Sequence, residues 1–141
     1  MKPGLRSADL QPGNKNKEKM MSYSPLLIVE DDFVCQHIYL SLLNEYQPVL
    51  AATAAEALDC LSKQPFHCIL LDLGLPDKPG EELLPLIRSN PLNGNTPVIV
   101  ISAHVDEALG QQCLALGANY IYTKPLLPTM LRRMVKSVLV H

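Results

Sequence analysis

Short apolar runs alternate with stretches of helical spacing along most of this chain. Residues 26–29 (LLIV), 68–71 (CILL) and 98–101 (VIVI) are unbroken apolar runs. Runs this short and continuous predict strands covered on both faces. Residues 49–52 and 120–123 complete a set of five strands, the former the weaker of the two. Between them, residues 33–44 carry Val34, Ile38, Leu42 and Leu43 at helical spacing. Residues 54–63 place Ala57, Leu58 and Leu61 on one helical face behind Thr53, whose hydroxyl suits an N-cap. A helix over 81–89 is kinked or delayed by Pro85, which lacks a backbone donor. Residues 89–97 (SNPLNGNTP) predict a turn-rich loop. A fourth helix spans 105–116 and stops at Gly117, and a fifth spans 127–140. Strict alternation of strand and helix predicts an α/β fold, a parallel sheet with helices on both faces and right-handed crossovers.

Composition narrows this picture. With 141 residues, 48% of them hydrophobic, the chain fits a single domain with a real core. Trp is absent and only two Phe occur, so that core is built from Leu, Ile, Val and Ala. The first 22 residues differ: they carry net charge +3, leaving −5 on the remainder, and show no hydrophobic period. They predict a disordered tail or linker over residues 1–23, with the ordered domain at 24–141. No apolar run approaches the roughly 20 residues of a membrane span, and the N-terminus lacks a signal-peptide core. A net charge of −2 argues against direct nucleic-acid binding. Cys35, Cys60, Cys68 and Cys113 form no CxxC pair, and predict buried thiols in a reducing, cytoplasmic setting.

Chemistry concentrates where the predicted strands end. The first ends in Glu30, Asp31 and Asp32, the third in Asp72, the fourth in Ser102, and the fifth runs into Lys124 and Pro125. In a parallel sheet these ends share one edge, the edge at which such folds bind ligands. Clustered carboxylates repel one another unless a hard cation joins them, and an oxygen-only set suits Mg²⁺, with Mn²⁺ as a substitute. Asp32 reads better as a helix cap than as a ligand.

The segments LLIVEDD, LLDLGLPDKPGEELL, VIVISAH and GANYIYTKP together resemble the receiver domain of two-component response regulators. The resemblance covers residues 25–140. Asp72 precedes Ser102 by 30 residues and Lys124 by 52, as in that family. It implies a flavodoxin-like, doubly wound sheet of five strands in the order 2-1-3-4-5, with five helices. It implies that Asp72 is the phosphoacceptor, a carboxylate nucleophile that becomes an aspartyl phosphate. Glu30 and Asp31 would hold Mg²⁺, Asp31 directly and Glu30 partly through water, with Asp72 and the Gly74 carbonyl completing the protein ligands. Lys124, the Ser102 hydroxyl and the Ala103 N–H would bind phosphoryl oxygens, and the Lys124–Pro125 bond would be cis. The implied donor is a histidine kinase or a histidine phosphotransfer domain. The output would be a changed binding face, or a homodimer, through the last two helices and the last strand, where Arg132, Arg133 and Lys136 are available.

The chain departs from the family at Ile121, three residues before Lys124, where Tyr or Phe is usual; Tyr120 and Tyr122 point to the opposite face and do not replace it. His104 stands near the expected mouth of the site and reads as a loop residue rather than a catalytic one. The EDDFVCQHI segment resembles the opening of receivers attached to hybrid histidine kinases. Two other classes remain for comparison. A phosphatase of the haloacid dehalogenase type needs a second Asp where this chain has Gly74. A degenerate receiver acting only as an interaction scaffold would tolerate Ile121, yet every acidic, hydroxyl and lysine position is present.

Overall fold

The computed structural model describes residues 25–139. The tail expected over 1–23, Ser24, and the last two residues lie outside the described residues. Five strands form one sheet: β1 (Leu26–Val29), β2 (Pro48–Ala51), β3 (Cys68–Leu71), β4 (Val98–Ser102) and β5 (Tyr120–Thr123). All neighbours are parallel and the order is β2-β1-β3-β4-β5, as the resemblance implies. Five helices connect and follow them: α1 (Phe33–Leu42), α2 (Ala54–Lys63), α3 (Leu83–Arg88), α4 (Glu107–Ala115) and α5 (Pro128–Leu139).

The two faces of the sheet bury separate cores. Leu27, Val29, Ile69, Leu71, Val98 and Val100 pack toward α2, α3 and α4. Leu26, Ile28, Leu70, Ile99 and Ile101 pack on the other side with Leu131 and Val135 of α5 and Tyr39 of α1. The alternation within each apolar run thus supplies both layers at once. Truncating any of these fully buried leucines would cost roughly 2–5 kcal/mol.

The helix ends show where local sequence decides. Asp32 accepts the Cys35 N–H at 2.8 Å and caps α1, as its position predicts. Thr53 caps α2 through the Glu56 N–H at 3.0 Å. Pro85 delays its helix rather than kinking it. Residues Gly80–Glu82 form a 3-10 turn, and α3 begins only at Leu83, so Pro85 falls in the first turn where its missing donor goes unneeded. Gly117, at φ 115°, ends α4 while Ala118 donates back to the Cys113 carbonyl at 2.9 Å.

Side-chain burial and bonding refine three readings. Val34 and Ile38, apolar and at helical spacing, are 63% and 46% exposed, whereas Tyr39 and Leu43 turn inward. Cys35 and Cys60 are half-buried, and only Cys68 and Cys113 are buried thiols. Arg132 donates to the Leu42 carbonyl and forms a two-bonded pair with Glu45, which ties α5 to the end of α1.

Candidate functional site

The register of the central strands builds the site. Val29 of β1 sits beside Leu71 of β3, so the residues that follow, Glu30 and Asp72, leave the sheet side by side. Ser102 ends β4 opposite Thr123 of β5, which sets Lys124 one residue beyond, its N–H bonded to the Ser102 carbonyl at 2.9 Å. The Lys124–Pro125 bond is cis.

Four of the charged positions read from the sequence meet here. Oxygens of Glu30, Asp31 and Asp72 lie within 4.8 Å of one another. The Lys124 ammonium is 2.8 Å from Glu30 Oε1 and 3.3 Å from Asp72 Oδ2. Glu30 is fully buried, and its second oxygen accepts the Asp32 N–H at 3.0 Å. Gln36, a residue that sequence reasoning did not single out, donates to the Glu30 carbonyl at 2.7 Å and fixes the turn from β1 into α1. Asp31 is exposed, and its carboxylate has no partner among the described residues. Asp72 is 8% exposed, with Oδ1 3.3 Å from the Gly74 N–H.

Burial pushes the Glu30 carboxyl up to about 7, against the lowering pull of Lys124 and the Asp32 N–H, while Asp72 adds to the rise. Burial by itself would lower the Lys124 ammonium; its bond to Glu30 and the charges of Asp72 and Glu30 outweigh that and raise it. Lys124 therefore stays charged within a cluster of three carboxylates.

An open cleft runs outward from Asp72 past Gly74, Ser102, Ala103 and His104. Ser102 is buried, and its hydroxyl bonds no other described residue. The donor set fits a hard divalent cation: it is oxygen-only, one carboxylate is exposed and unpaired among the described residues, and one ammonium leaves the cluster formally anionic. A Cβ built at Gly74 meets nothing within 4 Å, so the backbone there faces open space. Ile121 packs toward the α4 side of the sheet, whereas Tyr122 packs with the α5 side, so neither flanking tyrosine takes its place.

The comparisons with known proteins agree with this geometry. The family model of the response regulator receiver domain matches residues 26–136. The transcriptional regulatory protein KdpE of Staphylococcus aureus is 37% identical over 117 residues, which is 82% of this chain and 49% of KdpE. The chain thus spans about half the length of that relative. A CheY-like response regulator receiver domain from Methanospirillum hungatei superposes with a TM-score of 0.78 at 29% identity, covering 84% of this chain and 94% of that one. The receiver domain of the sensor histidine kinase PA1611 from Pseudomonas aeruginosa superposes with a TM-score of 0.76 at 26% identity, covering 84% and 98%; it was solved with magnesium in its active-site cleft. With the strand order, the strand-end carboxylates and the lysine all in place, this chain belongs to the response regulator receiver domain family.

Proposed function

We propose that the chain is a phosphoacceptor module of a two-component phosphorelay, which takes a phosphoryl group from a phosphohistidine onto Asp72. The observation that carries this reading is the meeting of Glu30, Asp31 and Asp72 within 4.8 Å, with the Lys124 ammonium 3.3 Å from Asp72. An Asp72 carboxylate oxygen attacks phosphorus, the donor's phosphorus–nitrogen bond breaks, and the imidazole nitrogen keeps the electron pair and takes up a proton. Phosphoryl transfer asks mainly for positioning and charge neutralisation. Lys124 supplies fixed positive charge beside the nucleophile, and the Ser102 hydroxyl and Ala103 N–H line the cleft where phosphoryl oxygens would lie. Asp31, Asp72 and the Gly74 carbonyl would hold Mg²⁺, or Mn²⁺ in its place, with Glu30 contributing through water. The cation, when bound, supplies charge neutralisation of the phosphoryl oxygens.

The donor, a histidine kinase or histidine phosphotransfer domain, would dock against α1. That helix leaves the site at Asp32 and exposes Phe33, Val34 and Ile38, with His37 edge-on to the Phe33 ring at 4.5 Å. The signalling surface, including any homodimer, would be α4, β5 and α5, where Leu114 and Tyr120 are exposed. The module would occupy residues 24–141 behind a tail at 1–23, act in the cytoplasm without contacting nucleic acid, and belong to the hybrid-kinase type of relay. Among the described residues no helix is long and apolar enough to cross a membrane. Ile121 favours one second reading, a scaffold whose binding does not depend on phosphorylation.

The test is intact-mass measurement after incubation with Mg²⁺ and acetyl phosphate. One added phosphoryl group, absent in Asp72→Asn and in chelator, is expected. No gain, together with no binding of beryllofluoride, favours the scaffold.

A further inference from the structure

The loop that follows Asp72 is fastened at its base and at its tip, and only the first of these is explained by its own neighbourhood. At its base the Gly80 N–H donates to the Leu73 carbonyl at 2.7 Å. A Cβ at Gly80 would come within 2.5 Å of the Asp72 carbonyl oxygen and Leu73 Cα, so the chain closes there only with glycine. Leu73 and Leu75 are buried and hold the loop's inner side. The second fastening crosses to another element. Asp77 reaches the first turn of α2, where Oδ1 accepts the Ala54 N–H at 2.8 Å and Oδ2 the Ala55 N–H at 3.0 Å.

That contact exceeds what the helix needs for starting. Thr53 already caps α2 through the Glu56 N–H, and the Glu56 carboxylate accepts the Ala52 N–H at 2.7 Å. Asp77 takes the two remaining first-turn donors and thereby ties the tip of the phosphoacceptor loop to a helix 22 residues and more away in sequence. Between the two fastenings lies Gly74, the residue with least backbone preference of its own, exposed on the cleft. Its own N–H meets Asp72 Oδ1 at a long 3.3 Å, so the fastenings on either side bear on how its peptide lies.

The geometry points to Asp77 as a positioning residue for the cation site: its carboxylate, anchored on the α2 N-terminus, holds the 73–80 loop so that the Gly74 carbonyl faces the Glu30–Asp31–Asp72 cluster. This rests on the receiver reading of that cluster. Outer-sphere residues of this kind typically change metal affinity by about 10-fold or more when removed. Coupling between a loop and a bound ion is also reciprocal, so Mg²⁺ should in turn steady the Asp77 contact.

The experiment titrates Mg²⁺ into the full chain, followed by amide chemical shifts, in wild type, Asp77→Ala, Asp77→Asn and Thr53→Ala. Thr53→Ala weakens the same helix end without touching the loop and separates positioning from general loss of the α2 cap. The expected result is a Kd raised about 10-fold or more in Asp77→Ala. Asp77→Asn, which keeps one acceptor oxygen, should fall between, and Thr53→Ala should match wild type. Amide hydrogen exchange at Ala54 and Ala55 should slow on adding Mg²⁺ to wild type and not to Asp77→Ala. Equal affinity in wild type and Asp77→Ala, or equal losses in Asp77→Ala and Thr53→Ala, overturns the inference while leaving the receiver reading intact. Absence of Mg²⁺ binding by wild type overturns both.

Discussion

Lys124 carries more of the site's electrostatics than any other single side chain. It is the sole cation bonded to the carboxylate cluster among the described residues, touching both buried Glu30 and Asp72. Removing it leaves Glu30 Oε1 without its donor and leaves the incoming phosphoryl group facing uncompensated negative charge. Loss of one preorganised stabilising group commonly costs about 100-fold or more in rate. Lys124→Ala should therefore slow acyl-phosphate formation from acetyl phosphate by roughly 100-fold. Because the cation ligands remain, its Mg²⁺ affinity should be preserved or improved. Parallel loss of Mg²⁺ binding would instead mean that Lys124 holds the loops in place. The residue types at this site were legible in the sequence because they stand at or just past the ends of the predicted strands. Asp77 and Gln36 were not, since their partners are backbone atoms on other elements or at a turn, and no spacing rule announces such contacts.

At the scale of elements, the strands and the helix caps were the easy part. The runs 26–29 and 68–71 are strands to the residue, because a fully covered strand must be continuously apolar and its ends are polar; 120–123 is also a strand to the residue, but as a sheet edge it stays partly exposed. The orientation of α1 was the hard part. Val34 and Ile38 obey helical spacing as well as Tyr39, Leu42 and Leu43 do, and only the packing of α5 and the sheet decides which face is covered. The helix is apolar on two sides, and the outer one begins at the mouth of the cleft. An apolar face kept beside a charged cleft is suited to a protein donor and useless to a small one. Ile38→Glu combined with Val34→Ser should therefore cut the rate of transfer from a phosphorylated histidine phosphotransfer domain by at least about 10-fold, as loss of interface anchors does. Phosphorylation by acetyl phosphate should stay within about twofold of wild type, since neither residue contacts the cluster. Equal loss with both donors would show that the substitutions damage the fold, and equal retention would move the docking face elsewhere.

For the whole molecule, the cluster sets stability against function. The fold places three carboxylates within 4.8 Å at one sheet edge and gives them a single ammonium. Two like charges about 5 Å apart repel by roughly 1 kcal/mol even in water, and more where water is excluded. Asp31 is the exposed member, and its substitution opens no cavity. In chelator, Asp31→Asn should therefore be more stable than wild type by about 1 kcal/mol, a rise of a few degrees in Tm. High salt should shrink that gain by screening. In Mg²⁺ the order should reverse. A ligand present at 100 times its Kd stabilises the folded state by about 2.7 kcal/mol, and wild type keeps that gain while Asp31→Asn loses most of it. Thermal unfolding of both proteins in chelator and in Mg²⁺ measures the four values needed. A crossing of the two orders means that the acidic edge is held under repulsion for the sake of a cation. The same order in both solutions would mean that Asp31 is a solvated loop residue, and the cation ligands would then have to be sought among Glu30, Asp72 and the Gly74 carbonyl alone.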